Sequence, residues 1–262
     1  MTSIIIQGKG IVGKSTALFL KKFLPNVEIR FNDPFKEVIA PIDAWAKADY
    51  VIVCVNTDLH QTLALPENDT TNVSAAINEA LANGFKGTVV VRSTLGMSAI
   101  KDYTEQLGQH LLVWPEYIRE SSWADDAVNP KFIVLGGEPA EVFADLLTEY
   151  KGPAYITDPM EAMIAKLSTN TFLAMKVIFA NQVEQLCKVV GADYNIVRVM
   201  LENEGRLGPS HWAVPGSDGV AGFSGKCFPK DVRTFETALV KSGLHVDLIR
   251  AITDLNNEMR PE

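Results

Sequence analysis

The stretch Ile4-Ile-Ile-Gln-Gly-Lys-Gly-Ile-Val-Gly-Lys-Ser-Thr16 fits two phosphate-binding patterns at once. Gly8-x-Gly10-x-x-Gly13 is a dinucleotide-binding turn, whereas Gly8-x4-Gly13-Lys14-Ser15 is a P-loop. Both need a strand, a tight turn and a helix N-terminus whose N–H groups point at phosphate oxygens, so local context does not separate them. Distant context does. A P-loop enzyme needs a magnesium-holding acid after an apolar strand. The nearest candidate is Asp58 after residues 51–55, and Asn56 and Thr57 intervene. A dinucleotide site needs an acid at the end of the second strand, for the ribose hydroxyls. Asp33 sits there, directly after the expected strand 27–32. The stretch is therefore expected to place Gly8, Gly10, Ile11, Val12 and Gly13 around a pyrophosphate, with Asp33 on the ribose. Aspartate rather than arginine favours NAD over NADP. Lys14-Ser15 becomes a coincidence at a helix start, with Lys14 adding attraction for phosphate.

Working outward, the stretches 3–7, 27–32, 50–55, 87–92, 110–113, 132–135 and 154–156 read as strands, most of them apolar runs. Helical spacing appears at 11–24, 72–82 and 140–150. Strands alternating with helices imply βαβ units and a mainly parallel sheet. Runs without polar alternation imply strands covered on both faces. The fold class is α/β, a Rossmann-type sheet domain over residues 1–158, followed by an all-helical domain over 159–262. From Met160 to Val190 there is neither proline nor glycine. About 31 residues make a helix of roughly 47 Å, long enough to act as a spine between domains or subunits. A second helix is expected over 194–201, then a glycine-rich loop over 205–225, then helices near 229–241 and 246–258.

Composition narrows the functional classes. The 262 residues carry a formal net charge of -8, against the basic balance of a general nucleic-acid binder. Cys54, Cys187 and Cys227 show no CxxC spacing, which argues against a zinc site or a disulfide scaffold and suggests a reducing compartment. No leader pattern and no apolar run of membrane-spanning length is seen, so a cytoplasmic location and no membrane partner are expected.

Three later stretches sharpen this. They are Trp114-Pro-Glu-Tyr-Ile-Arg-Glu-Ser121, Lys166-Leu-Ser-Thr-Asn170, and Gly222-Phe-Ser-Gly-Lys-Cys-Phe-Pro-Lys-Asp231. Together with the glycine turn, in that order, they resemble the UDP-glucose 6-dehydrogenase family, within the UDP-glucose/GDP-mannose dehydrogenases. The last stretch is the most specific, close to the family's Gly-Phe-Gly-Gly-x-Cys-x-Pro-Lys-Asp signature. The resemblance implies a four-electron oxidation of a sugar primary alcohol to a carboxylate with two NAD, UDP-glucose being the first substrate to consider. It also implies a homodimer formed through the long helix of the central domain.

The residues support such chemistry. A second oxidation benefits from tethering the aldehyde, and Cys227 would do so as a thiohemiacetal and then a thioester. An isolated cysteine is more often a small core residue; set among Gly222, Gly225 and Pro229-Lys-Asp231, this one reads as the nucleophile. Lys230 and Lys166 would bring the positive charge its thiolate needs. Lys166 and Asn170, four apart on one helical face, would stabilise an alkoxide or oxyanion. Asp231 would hold a water or take the alcohol proton, although it also suits the first turn of a helix beginning at Pro229. The resemblance places Glu116 at the reacting carbon and Glu120 near the nicotinamide. It has Thr94 reach the site, Thr57 and Lys230 touch the cofactor, and Gly222 and Phe223 line the sugar site. Arg206 resembles an arginine that approaches the sugar nucleotide from the neighbouring subunit. No metal is expected.

The chain departs from the family pattern in several places. It stops at Asn256-Asn-Glu-Met-Arg-Pro-Glu262, where a third, nucleotide-sugar-binding domain is expected to begin. Residues 34–45 are shorter than usual, Ser224 replaces a signature glycine, and Lys36 stands near a common basic position. The resulting expectation is a minimal dehydrogenase that holds the uridine end loosely or through a partner subunit. Competing readings are a two-electron hydroxyacid dehydrogenase using Lys166 and Asn170, a non-catalytic NAD-binding remnant, and, least favoured, a kinase or ATPase.

Overall fold

The computed structural model describes residues 1–59, 65 and 67–260. It divides into two compact units, 1–60 with 68–166, and 61–67 with 167–262.

The first unit is built on a seven-stranded sheet. Its strands are β1 (Thr2–Gln7), β2 (Val27–Asn32), β3 (Tyr50–Val53), β4 (Thr88–Val91), β5 (Leu111–Val113), β6 (Ile133–Gly136) and β7 (Ala154–Thr157). They lie in the order β2-β1-β3-β4-β5-β6-β7, with only β5 and β6 antiparallel to each other. The order reverses at β1, the switch point where a doubly wound sheet opens a crevice at its carboxyl edge. Ile4, Ile5, Ile6, Val51, Ile52 and Val53 are fully buried, as strands covered on both faces require.

Helix α1 (Ile11–Phe23) covers one face, pressing Phe19, Leu20 and Phe23 onto a core of Ile4, Ile52, Val90, Leu112, Trp114 and Phe143. Its last turn carries Lys21 and Lys22, which suit the negative end of the peptide dipoles. The short α2 (Ile42–Trp45) buries Ala44 and Trp45. Helix α3 (Thr71–Ala82) buries Val73, Ile77 and Ala80.

Three helices lie outside the sequence expectations, the one-turn α2, α4 (Met97–Leu107) and α5 (Trp123–Val128). Among α4 residues only Ile100 and Tyr103 are buried, so its apolar stripe is too thin to register as a period. Helix α6 (Ala140–Leu146) ends before the expected Tyr150. There the Tyr150 hydroxyl donates to the Pro153 carbonyl and the chain turns into β7.

Helix α7 (Pro159–Val190) is continuous, as the proline- and glycine-free run requires. The two units divide within it, at Lys166 and Leu167, rather than at its start. Its first turns belong to the sheet unit, where Ala162 approaches Gly136 closely enough to exclude a side chain there. Contrary to the expectation of no spanning run, α7 is by length and composition apolar enough to cross a membrane. Half of its most apolar window is buried inside the protein. It also carries Lys166, Asn170, Lys176 and Asn181 as buried polar residues.

The second unit adds α8 (Tyr194–Asn203), α9 (Phe228–Lys241) and α10 (Asp247–Met259). Its core joins Ala174 and Ile178 of α7 to Val232 of α9 and Ile249 and Ile252 of α10, with Phe223 from the glycine-rich loop. Burying Phe223 contributes about 1.5–3 kcal/mol. One stripe of α7 stays outside this core. Phe172, Phe179 and Leu186, seven residues apart, are all more than half exposed, as are Val189 and Val190. Ile196, Val199 and Met200 on α8 are exposed too.

Candidate active site

In the sheet unit the glycine turn joins β1 to α1. Gly8 takes φ +93°, and a Cβ on it would collide with the Cys54 carbonyl. A Cβ on Gly13 would collide with the Gly8 carbonyl. A Cβ on Gly10 would meet nothing within 4 Å. Gly8 and Gly13 are thus required by strand, turn and helix packing on one another. Gly10 borders open space at the helix N-terminus, beside Ile11 and Val12.

The serine of the competing P-loop pattern is already committed. The Ser15 hydroxyl is buried and donates to the Val12 carbonyl at 2.7 Å, as does that of Thr16. A P-loop needs that hydroxyl on a magnesium ion, so the structure favours the dinucleotide reading.

Asp33 follows β2 and is buried; its Oδ2 accepts from the Lys9 amide at 2.7 Å. Lys36 Nζ stands 3.8 Å from the same oxygen and donates to the Lys9 carbonyl at 2.8 Å. Asp33 is thereby fastened to the glycine turn. Open space at Gly10, a helix N-terminus and a fixed acid at the end of β2 fit a dinucleotide. Thr57 is buried after β3, its carbonyl accepting from Asn68 Nδ2. Thr94 is half-buried after β4 and Glu120 is exposed in a short turn after β5.

Glu116 is nine-tenths buried in the same unit. Its Oε1 lies 3.0 Å from Lys166 Nζ, and its Oε2 accepts from the Ile118 amide at 2.9 Å. Burial raises its carboxyl, but Lys166, the Ile118 amide and Arg92 outweigh burial and hold it below its ordinary value. Lys166 also lies 5.4 Å from the Tyr117 ring centre.

Arg92 went unread as a functional residue in the sequence. Its guanidinium is buried 3.9 Å from the Trp114 ring centre, and Nε and Nη1 have no hydrogen-bond partner. Desolvation lowers its pKa, and Glu116 partly opposes that. The available signal was a basic residue directly after the apolar run 89–91.

In the helical unit Cys227 is exposed and caps the N-terminus of α9, where the aligned peptide dipoles present their positive end. One turn on, Asp231 is 1% exposed. Its Oδ2 accepts from Asn170 Nδ2 at 2.6 Å and its Oδ1 from Lys230 Nζ at 2.8 Å. The expectation that Lys230 supplies charge to the thiol is therefore modified. Its ammonium is paired with Asp231, and the N-terminus of α9 adds positive potential at Cys227. Asp231 is also the first-turn acid that Pro229 suggested.

The expected Lys166–Asn170 oxyanion pair is likewise refined, since each donor is engaged with its own carboxylate, Glu116 or Asp231. Gly222 has φ +76°, and a Cβ there would stand 2.6 Å from Asn256 Oδ1. The Phe223 ring faces the helical core. Arg206 is 89% exposed and pairs with Glu204. Burial raises the Cys54 thiol to about 11, and Cys187 is buried, so both suit core roles. Among the described residues no group of three His, Cys, Asp or Glu side chains is placed to hold a metal.

Comparison with known proteins places the chain in a family. Residues 36–151 match the NAD binding domain of the UDP-glucose/GDP-mannose dehydrogenase family, and residues 160–258 match its central domain. The chain belongs to the UDP-glucose/GDP-mannose dehydrogenase family. It is 31% identical over 185 residues to the UDP-glucose 6-dehydrogenase AglM of Haloferax volcanii, covering 66% of this chain and 42% of that one. A solved UDP-glucose dehydrogenase from Pyrobaculum islandicum superposes with a TM-score of 0.80 at 25% identity, covering 98% of this chain and 68% of that one. A 3-hydroxyisobutyrate dehydrogenase from Mycobacterium tuberculosis shares the fold, with a TM-score of 0.73 at 17% identity over 98% of this chain and 93% of that one. The chain spans about half the length of the curated relatives it matches.

Proposed function

We propose that the protein is an NAD-dependent nucleotide-sugar dehydrogenase that oxidises the primary alcohol of a nucleotide-bound hexose, UDP-glucose first, to the carboxylate. The observation that carries this reading is the exposed Cys227 at the head of α9, one turn before the buried Asn170–Asp231–Lys230 network. Its place in a chain with an NAD-binding domain supplies the oxidant.

NAD supplies a hydride acceptor. The Gly8–Gly13 turn would hold its pyrophosphate, and Asp33 its ribose. Thr57, Thr94, Glu120 and Lys230 would border the cofactor. Asp231, held by two donors, would orient the alcohol and take its proton as the first hydride leaves. The Cys227 sulfur would then add to the aldehyde carbon, the carbonyl oxygen taking up a proton to give a thiohemiacetal. Lys166 and Asn170 would stabilise the oxygen as its proton and a second hydride depart, leaving a thioester. Glu116 would deprotonate a water that attacks the thioester carbon, releasing the carboxylate and returning the thiol. Gly222 and Phe223 would shape the sugar site, and Arg206 would reach the sugar nucleotide of a partner subunit. The exposed stripe on α7 and α8 supports a homodimer formed through these helices.

A two-electron hydroxyacid dehydrogenase is the second reading, favoured by the Lys166 and Asn170 pair at i and i+4 on one helix. It has no use for Cys227. Screening UDP-glucose, UDP-N-acetylglucosamine and GDP-mannose for NADH formation tests the proposal. Turnover on one of them supports it. NAD binding with no turnover on any would favour a binding remnant.

A further inference from the structure

The loop before Cys227 carries two residues that the chemistry leaves unused, Asp218 and the signature-breaking Ser224. Asp218 Oδ2 accepts from the Ser224 hydroxyl at 2.8 Å and from Arg260 Nη2 at 2.7 Å. Asp218 Oδ1 accepts from the Val220 amide at 3.1 Å. The same Arg260 nitrogen reaches the carbonyls of Val220 at 3.3 Å and Gly222 at 3.4 Å. A turn earlier on α10, Asn256 Oδ1 accepts from the Phe223 amide at 2.7 Å.

The end of α10 thus grips the loop along residues 218–224, three residues short of the thiol. With glycine at position 224, Asp218 would lose its hydroxyl donor and the loop would regain a residue of wide conformational freedom. Asp218 and Arg260 keep 40% and 20% of their side-chain surface in water. Such a pair adds little to global stability. Its effect falls on the loop, because three acceptors converge on one guanidinium.

We infer that Asp218, Ser224 and Arg260 form a clamp of positioning residues that fixes the backbone leading into Cys227 and so sets the placement of its sulfur. The inference rests on the reading of Cys227 as the nucleophile, but its test does not depend on turnover. In the native full chain, Cys227 is the exposed cysteine, with Cys54 and Cys187 buried. Iodoacetamide labelling followed by mass spectrometry therefore reports on that one thiol.

Arg260→Ala and Asp218→Ala are expected to change the Cys227 labelling rate by about tenfold. They should lower kcat by about 10- to 100-fold, as a misplaced reacting group does, with NAD affinity unchanged. The double variant should be no worse than the poorer single one, because both remove one interaction. Arg260→Lys should recover part of the loss. Should Arg260→Ala not fold, Asp218→Asn and Ser224→Gly carry the same expectation with smaller shifts.

Labelling and kcat both within about twofold of wild type in folded Arg260→Ala and Ser224→Gly variants would overturn the clamp. A labelling shift in a chain that turns over no nucleotide sugar would keep the clamp and remove the nucleophile reading.

Discussion

Glu116 and Lys166 bury opposite charges 3.0 Å apart, with side chains only 10% and 4% exposed. Each is tolerable there because of the other. Replacing Glu116 with glutamine leaves a buried ammonium without its counter-charge, which should cost about 3–5 kcal/mol at neutral pH. The sign of the pH response follows from the direction of the shift. The folded carboxyl lies below its ordinary 4.5, so its stabilisation is fully present above that value and is lost as pH falls through the lower folded one. Thermal unfolding followed from neutrality into the acid range should show this loss in wild type and a flatter profile in Glu116→Gln. An equal slope in both would refute it. At Cys54 the thiol is pushed up to about 11 by burial, so alkylation near neutral pH should mark Cys227 and spare Cys54. Peptide mapping of the labelled native chain checks this.

The β1–turn–α1 element was legible from its glycines, because Gly8 and Gly13 each answer a specific packing constraint. Gly13→Ala would push a methyl into the Gly8 carbonyl. It should weaken NAD binding by at least tenfold, read by calorimetry, while Gly10→Ala meets only open space in the protein. A Gly13→Ala variant with wild-type affinity would show that the turn does not hold the cofactor. Helix α7 was legible for a different reason, since 32 residues without an interior breaker leave the chain no other choice. Its exposed residues at seven-residue spacing make the second element-scale prediction. Phe179→Glu together with Leu186→Glu should turn a dimer into a folded monomer in analytical ultracentrifugation. A wild-type chain that is monomeric throughout would end the dimer reading.

Helix α2 was missed because it is a single turn, and α4 and α5 because few of their residues are buried. The pairing of Lys230 with Asp231 was missed because sequence spacing places two side chains on one helix without saying which way each charge turns. Arg92 escaped for a similar reason. A basic residue at the end of a buried strand is conspicuous only once Trp114 is seen beneath it.

At the scale of the whole molecule, the chain joins an NAD-binding unit to a helical unit carrying an exposed cysteine, in about half the length of its curated relatives. The central claim is that this pair oxidises one sugar carbon twice, with Cys227 holding the aldehyde between the two steps. Counting NADH formed per molecule of limiting UDP-glucose, with NAD in excess, tests that claim most directly. The account predicts two NADH per sugar for the wild-type chain, and a Cys227→Ser variant that cannot complete the second oxidation. One NADH per sugar, or an unchanged count of two in Cys227→Ser, would contradict it.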